Sequence, residues 1–393
     1  MILNMMETVV FNNITIIVSV TVVVLAMVTP FINGFFRKPK SLLASTDYAN
    51  DQQKATLPPV SIILTPNENA YELEQNLPMF LNQDYPAPFQ MIVVTWKGDS
   101  ETDDVLKRYE GNSHLYTTYI PDSSRYMSRK KLAITLGIKA AKTQWVMLTD
   151  ITCTPASDQW LQTMASHCSD NIDIVAGYTA YDNATSDYKR FERLHTEMYL
   201  IREYLKTTPY RHNGNNLMFR KDMFINGDGY RGNLKYLRGE YDFIVNKYAN
   251  SSNTTLVLTP QSWMIEQQPS AKTWKNKHLF YLENRKAMER SSRHRTLFNI
   301  DQIALHTTMT AIIAALVYSI FTQQWIVAIA AGVAFIITAI ARTIIGYKAL
   351  KMFQEDISPI KVFPFDIAIL WHNIGYTIKH ATAQKTDFIS HKI

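Results

Sequence analysis

The sequence contains only two cysteines among its 393 residues, Cys153 and Cys168. Two cysteines cannot form the disulfide framework of a small secreted protein, and their spacing matches no metal-binding motif. The chain also shows no internal repeat and no low-complexity tract. These absences exclude a disulfide framework and a cysteine metal site, and they favour a reducing compartment.

The sequence also lacks one long run of basic residues, although its formal net charge is +6. The basic side chains gather beside apolar segments instead, a distribution that suits anionic lipid headgroups better than nucleic acid. We therefore expect a membrane partner and no nucleic acid. The basic residues concerned are Arg37, Lys38, Lys40, Arg285, Lys286, Arg290, Arg293, Arg295, Lys348 and Lys351.

No lysine or arginine precedes the first apolar segment, Val9 to Phe31. A cleaved signal peptide would begin with basic residues and have a shorter apolar core, so we predict an uncleaved anchor whose C-terminal side is cytoplasmic. Two more apolar stretches, Ile303 to Phe321 and Trp325 to Ile345, predict a membrane hairpin. Its outer ends lie beside basic residues and are also expected to be cytoplasmic, which predicts a multi-pass membrane protein.

Phe363 to Ile378 is shorter and carries Asp366, His372 and Asn373. It is predicted to be an amphipathic, interfacial or re-entrant helix, or else a third membrane helix. The predicted organisation is an anchor (1–35), a linker (36–58), a cytoplasmic domain (59–285), a basic juxtamembrane segment (286–302), a membrane hairpin (303–346) and a final membrane-associated helix with its tail (347–393).

The soluble part is organised around Lys130 to Pro155, in which a basic helical stretch leads into the apolar run Trp145 to Leu148. This run ends on Thr149 and Asp150, and a buried strand that delivers an aspartate at its carboxyl end is how an α/β sheet presents a ligand site. Further strands that alternate with helical stretches predict an α/β domain with a mostly parallel sheet. These predicted strands are Val60 to Thr65, Met91 to Thr95 and Leu115 to Ile120.

Five stretches between Pro59 and Arg285 carry a family resemblance through their order. They are VSIILTPNE, LPMFLNQDYP, KKLAITLGIKAAKTQWVMLTDITCTPASDQWL, NGNNLMFRKDMF and GEYDFIVNK. In this order they resemble the membrane-anchored family-2 glycosyltransferases with the GT-A fold, in particular a bacterial branch with an N-terminal anchor and C-terminal membrane helices. The resemblance implies an α/β fold of GT-A type, with a mostly parallel sheet flanked by helices and transmembrane helices at both ends.

The resemblance also implies a chemistry, the inverting transfer of a sugar from a UDP- or GDP-linked donor. Such an enzyme needs a base for the acceptor hydroxyl and positive charge for the leaving diphosphate, usually a divalent metal such as Mg²⁺ or Mn²⁺. The implied nucleotide-sugar residues are Thr65, Asn67, Glu68, Asp99, Lys131 and Asp150. The implied bases are Glu240 and Asp242, and the implied acceptor or diphosphate contacts are Asn216, Lys277 and His278.

Each of these residues also has a structural interpretation. Asn67 suits a helix cap and Lys131 a solvated helix face, while Glu240 and Asp242 suit the first turn of a helix. Lys277 and His278 suit a basic helix that contacts lipid headgroups. The sequence leaves these alternatives open.

The sequence departs from the family pattern at the metal motif. Where Asp-x-Asp is expected, the chain reads Asp150-Ile151-Thr152. A threonine hydroxyl is a much weaker ligand than a carboxylate for a hard cation, so we expect Asp150 to bind a divalent metal only weakly.

Three further departures concern the base, the second strand and the acceptor side. Tyr241 stands in the acidic cluster where an aspartate is expected, and Asp99 is displaced from the end of the second strand. The Gln-x-x-Arg-Trp signature of processive synthases is absent around Trp274. We therefore expect transfer of a single sugar to a lipid-linked or membrane-proximal glycan acceptor in cell-envelope polysaccharide biosynthesis. The alternative is a GT-A-fold scaffold or binding subunit that has lost catalysis.

Overall fold

The computed structural model describes residues 12–36, 39, 57–121 and 128–389. Most of the predicted linker and the basic residues Arg37, Lys38 and Lys40 lie outside these ranges. The described chain forms two compact units that do not follow chain order. The helical unit comprises the described part of Met1–Lys38 with Asp187–Tyr199 and Ser292–Gly375, and the α/β unit comprises the described parts of Pro39–Ser186, Leu200–Ser291 and Tyr376–Ile393.

The helices of the described residues are labelled in chain order. They are α1 (Asn13–Val28), α2 (Ala70–Leu81), α3 (Ser100–Lys107), α4 (Arg129–Ala140), α5 (Trp160–Ala165), α6 (Asp187–Lys206), α7 (Lys221–Asn226), α8 (Glu240–Tyr248), α9 (Ala271–Asn284), α10 (Ser291–Thr322), α11 (Trp325–Met352) and α12 (Pro359–Thr382). Short 3-10 turns cover Thr29–Ile32, Gly34–Phe36, Pro260–Ser262 and Lys385–Asp387.

The strands form two sheets, both in the α/β unit. They are β1 (Val60–Leu64), β2 (Phe89–Trp96), β3 (Leu115–Ile120), β4 (Trp145–Leu148), β5 (Cys153–Pro155), β6 (Ile174–Gly177), β7 (Thr179–Tyr181), β8 (Leu217–Arg220), β9 (Thr254–Val257) and β10 (Met264–Glu266). The larger sheet has the order β3-β2-β1-β4-β8-β6-β9, and the smaller one the order β5-β10-β7. Only β8 runs antiparallel to its neighbours in the larger sheet. The α/β fold with a mostly parallel sheet is therefore confirmed.

Helix α2 covers one face of the larger sheet with an apolar stripe. Leu73, Leu77 and Phe80 recur at helical spacing and are 0% exposed. The ring of Phe80 meets Trp160 of α5 edge to face at a centroid distance of 5.8 Å. This packing explains why the apolar residues between Ala70 and Leu81 form a helix.

The strands β1, β2 and β4 run side by side and in parallel, with β1 between the other two. All five residues of β1 are fully buried, as expected for a strand covered on both faces. Because parallel strands end at the same edge of a sheet, the residues that follow β1 and β4 lie on the same side as the end of β2. That edge carries Asp150.

The helical unit contains three helices that are long and apolar enough to cross a membrane. They are Asn13–Ile32, Ser291–Thr322 and Trp325–Met352. Val22 and Ala26 of α1 pack in one apolar cluster with Ile312 of α10 and Ala331 of α11. By the same criteria, and among the described residues, α12 is not a candidate span. The predicted anchor and hairpin are thus confirmed as candidate membrane helices, and their orientation stays a prediction.

Candidate active site

Three threonine hydroxyls stand at the ends of the parallel strands. Thr65 follows β1, Thr149 follows β4, and Thr95 is the penultimate residue of β2. The side-chain oxygen of each is buried and has no hydrogen-bond partner among the described residues. A buried hydroxyl without a partner costs about 1–3 kcal/mol. Three such hydroxyls at one sheet edge leave hydrogen-bonding capacity that the described part of the fold does not use.

Asp150 lies at this edge and uses both of its carboxylate oxygens. Oδ2 accepts a hydrogen bond from Nζ of Lys130 at 2.5 Å. Oδ1 accepts from the backbone N–H of Thr152 at 3.1 Å and from its hydroxyl at 2.9 Å. Burial tends to raise the pKa of Asp150, but Lys130 and these hydrogen bonds outweigh it and hold that pKa well below its usual range. Asp150 is therefore a fixed anion.

The acidic motif begins α8. Gly239, which precedes it, has a φ of 94°, and a Cβ there would lie 2.4 Å from Nδ2 of Asn284. A glycine is therefore required at this bend, which makes Glu240 the first residue of the helix. Glu240 is 4% exposed, and its Oε1 has no hydrogen-bond partner among the described residues. An unpaired buried carboxylate oxygen is a group available to take a proton.

The charges of Asp150 and Glu240 both act on Lys130. Burial lowers the pKa of Lys130, but the two carboxylates outweigh it, so the net pKa is raised. Burial raises the pKa of the Tyr241 hydroxyl, and the charges of Asp150 and Glu240 raise it further. The charge of Asp242 adds to the raised pKa of Tyr210, which is mainly due to burial. Asp150 and Glu240 thus share their electrostatic effects on Lys130 and Tyr241.

Lys131, predicted to approach the nucleotide, is fully buried. Its Nζ donates to the backbone carbonyls of Asn233 at 2.7 Å and Tyr236 at 2.6 Å. Burial lowers its pKa to about 8, against the opposing effect of Glu240. Lys131 therefore supports the loop before the acidic motif, and its neighbour Lys130 is the lysine that contacts Asp150.

The residues before the acidic motif, 233–238, form what we call the acidic-motif loop. Besides Lys131, the hydroxyl of Ser128 holds it by donating to the carbonyl of Leu237 at 3.1 Å. The N–H of Leu237 donates to the carbonyl of Phe388 at 3.0 Å, and Tyr236 pairs with Ile389 in an antiparallel bridge. The loop that sets the position of Glu240 is therefore held by α4 and by the C-terminal segment.

The remaining predicted nucleotide residues have other positions. Asn67 and Glu68 are exposed after β1, and Glu68 has a positive φ of 58°. Asp99 caps α3, because its side chain accepts from the N–H of Thr102 at 3.2 Å and from its hydroxyl at 2.7 Å. This cap explains why an aspartate follows Trp96-Lys97-Gly98 and removes the need to assign it to the nucleotide.

The three predicted acceptor-side residues are engaged inside the α/β unit. Asn216 is 0% exposed, and its Nδ2 donates to two backbone carbonyls while its Oδ1 accepts from Trp160. The amide nitrogen and the carbonyl oxygen of its side chain thus both have partners within the core, and its contact with an acceptor or diphosphate stays a prediction. Lys277 forms an ion pair with Glu266, and His278 stacks on Tyr376 at 4.2 Å.

A second cluster of acid and histidine side chains lies in the helical unit. His195, Asp301 and Asp366 are close enough to hold a metal ion, and all three are buried. Arg342, however, donates to Asp301 and to Asp366 at 2.6 Å each. Its guanidinium neutralises the carboxylates that a cation would use, so the cluster acts as a buried ion-pair network that joins α10, α11 and α12.

Sequence reasoning missed the contact of Lys130 with Asp150. It also missed that the charges of Asp150 and Glu240 act on the hydroxyl of Tyr241. The adjacent lysines Lys130 and Lys131 offered no basis for deciding which one would face Asp150. The departure at Tyr241 was visible, but the placement of its hydroxyl near Asp150 depends on the turn at Gly239. One sequence pattern could have indicated Lys130. Two lysines lie in the first turn of α4, and a single aspartate, Asp150, follows the next strand.

A mostly parallel α/β sheet with its polar site at the strand ends, joined to membrane helices, defines a GT-A-like transferase. The model of glycosyl transferase family 21 matches residues 18–375. The chain belongs to this family and is a glycosyltransferase. A search of curated protein sequences gives no significant match.

The fold resembles that of a solved mannosyltransferase structure. The mannosyltransferase PcManGT from Pyrobaculum calidifontis, in complex with GDP-Man and Mn²⁺, is 15% identical, with a TM-score of 0.52 over 91% of this chain and 98% of that one. S. aureus TarS 1–349 in complex with UDP-GlcNAc is 11% identical, with a TM-score of 0.42 over 80% of this chain and 91% of that one.

Proposed function

We propose that this protein is an inverting glycosyltransferase that moves one sugar from a UDP- or GDP-linked donor to a lipid-linked or membrane-proximal acceptor. The observation that carries the proposal is the ion pair of Asp150 with Lys130 at the ends of the parallel strands, together with the buried Oε1 of Glu240, which has no partner among the described residues. PcManGT, which shares the fold, was solved with GDP-Man. A membrane-proximal acceptor fits the three candidate spans.

In this proposal the donor lies across the ends of β1, β2 and β4. The hydroxyls of Thr65, Thr95 and Thr149 supply hydrogen bonds to its polar groups, because they lack partners within the fold. Recognition by three neutral hydroxyls orients the donor without adding charge. The diphosphate then extends toward the cationic side chain of Lys130.

Glu240 is the proposed base. As the acceptor oxygen forms its bond to the anomeric carbon, the bond from that carbon to the diphosphate oxygen breaks, and the acceptor proton passes to Glu240. Attack from the face opposite the leaving group inverts the anomeric centre. A positioned carboxylate base contributes about 10²–10⁴ in rate. Glu240 suits this role because its Oε1 is buried and unpaired among the described residues.

We also propose that residues 59–285 face the cytoplasm of a bacterial inner membrane and that the product belongs to cell-envelope glycan assembly. The support is the placement of basic residues beside the apolar segments, since cytoplasmic flanks of membrane helices are enriched in lysine and arginine. Nucleotide sugars are made in the cytoplasm, so this orientation gives the site access to its donor.

The test begins with calorimetry on the detergent-solubilised full chain, using UDP, GDP and their sugars. We expect one nucleotide class to bind and its sugar to be transferred to a polyprenyl phosphate or a glycolipid, with an inverted anomeric signal by NMR. The matched variant Thr149→Val should weaken binding, since it removes one of the unpaired hydroxyls. Nucleotide binding without transfer to any acceptor would favour the scaffold alternative, and no binding at all would reject the site.

A further inference from the structure

We propose that the side chain of Lys130 takes the place of the divalent cation, so that this enzyme binds the donor diphosphate without a metal ion. The inference rests on the proposed function, because it concerns the same nucleotide site. It begins from the carboxylate of Asp150, which stands where the family resemblance implies the metal motif. That carboxylate already holds a cation, the Lys130 ammonium at 2.5 Å.

The donor set does not suit Mg²⁺ or Mn²⁺. These ions take oxygen ligands, preferably carboxylates, in a nearly octahedral shell. Oδ1 of Asp150 accepts two hydrogen bonds from Thr152, and Oδ2 is occupied by Lys130. The Thr152 hydroxyl thus donates its hydrogen to Asp150, and it adds no negative charge to the site. Among the described residues, no group of three acid, histidine or cysteine side chains with metal-binding spacing includes Asp150.

The ammonium is held in place as a fixed cation. Its side chain is only 22% exposed and that of Asp150 only 17%. Lys130 is the second residue of α4, where the helix dipole adds positive potential. The salt bridge to Asp150 fixes the position of the ammonium. Asp150 is therefore a positioning residue for Lys130 rather than a metal ligand.

A second basic residue belongs to the acidic-motif loop. Arg238 is exposed at the end of this loop, which Ser128 and Lys131 at the start of α4 hold through the carbonyls of Leu237 and Tyr236. Two cations of this kind match the charge that a nucleoside diphosphate develops as it leaves. The leaving group carries the electron pair of the broken bond, and its negative charge is neutralised by groups that the fold itself supplies.

Diphosphate binding by a lysine can be distinguished experimentally from binding by a metal ion. A metal-dependent enzyme loses diphosphate binding in a chelator, whereas a lysine-dependent one does not. Removing one charged hydrogen-bond donor from a charged ligand corresponds to about 10- to 100-fold in affinity. Replacing Lys130 should therefore weaken diphosphate binding, whereas a chelator should leave it unchanged.

The experiment is calorimetry of UDP and GDP binding to the full-length protein, in EDTA and in Mn²⁺. We expect equal affinity of the unaltered protein in both buffers and a loss of about 10- to 100-fold in Lys130→Gln. Lys139→Gln is the matched control, since Lys139 is an exposed lysine of the same helix. Lys130→Arg should retain most of the affinity, and thermal unfolding of each variant should establish that it is folded.

A double variant makes the test sharper. Lys130→Gln combined with Thr152→Asp removes the ammonium and restores the second carboxylate, so nucleotide binding should return in Mn²⁺ and disappear in EDTA. If the unaltered protein binds nucleotide only with Mn²⁺, the inference is wrong while the nucleotide site stands. If Lys130→Gln binds as tightly as the unaltered protein in EDTA, the inference is also wrong. If the unaltered protein binds in neither buffer, the proposed function fails with it.

Discussion

The ammonium of Lys131 lies 2.6 Å from the backbone carbonyl oxygen of Tyr236, in a site with no solvent exposure. A buried lysine is costly unless its hydrogens are satisfied, and here two carbonyls of the acidic-motif loop satisfy it. The same bond therefore links the first turn of α4 to the loop that positions Glu240. Changes at Lys131 should act on the acidic motif without any contact with substrate.

The first prediction uses the titration of Lys131. Its pKa in the folded protein is about 8, below the 10.5 of a free lysine. Between these values the unfolded state binds more protons, so this group makes the free energy of unfolding rise with pH. The melting temperature of the unaltered protein, minus that of Lys131→Met, should therefore increase from pH 7.5 to pH 9.5. A difference that stays constant over this range would show that the folded-state pKa is not lowered.

The second prediction concerns the base. Glu240→Gln keeps the size and the helix-start position of the side chain but cannot accept the acceptor proton, so transfer should fall by about 10²–10⁴. Nucleotide affinity and thermal stability should change little. Asp242→Asn is the matched control, because Asp242 is the other carboxylate in the first turn of α8, and it should keep transfer within a few fold. Equal loss in both variants, or loss only in Asp242→Asn, would assign the base differently.

The third prediction concerns the ion pairs of the helical unit. Arg342→Gln leaves Asp301 and Asp366 without their shared cation in a buried position, which costs about 3–5 kcal/mol. Thermal unfolding in detergent should show a large fall in melting temperature. Lys351→Gln, at an exposed position in the same helix, should stay within about 0.5 kcal/mol. Addition of EDTA should leave the unaltered protein unchanged, and a drop in melting temperature with chelator would indicate a metal between His195, Asp301 and Asp366.

The fourth prediction tests orientation. Asn183 is exposed in the α/β unit, and the two native cysteines can be replaced, Cys153 being buried and Cys168 partly buried. A single cysteine at Asn183 should react with a membrane-impermeant maleimide only after the cells are permeabilised. Labelling of intact cells would place this unit outside, away from nucleotide sugars.

Much of the fold was predictable because its signals are local. The buried run Val60 to Leu64 and the apolar stripe of Ala70–Leu81 specify a strand and a helix whatever surrounds them. One sequence interpretation put Glu240 and Asp242 in the first turn of a helix, and the structure starts α8 at Glu240, where the left-handed Gly239 sets the bend. Nothing in the residue pattern of β8 revealed that it runs antiparallel to β4, since direction depends on the route of the chain between strands.

The candidate site was predictable only in part. An aspartate after a buried strand is a local pattern, and it correctly located the edge of the sheet that carries Asp150. Lys130 contacts Asp150, whereas Lys131 contacts the acidic-motif loop. The sequence could not show which of the two adjacent lysines would contact Asp150, because this depends on the tertiary packing of α4. Asn216 illustrates the reverse case, since a polar residue in a glycine- and asparagine-rich loop suggests a ligand contact, whereas its side-chain amide has partners within the core.

The bridge between Tyr236 and Ile389 has a consequence for biosynthesis. The acidic-motif loop receives its backbone partners from Phe388 and Ile389, which a ribosome adds only after both helices of the hairpin have been made. The loop that precedes Glu240 therefore cannot gain its final support before the segment beyond the hairpin has been made. A chain that stops before Phe388 would lack these two contacts, so we expect its acidic-motif loop to be less firmly placed.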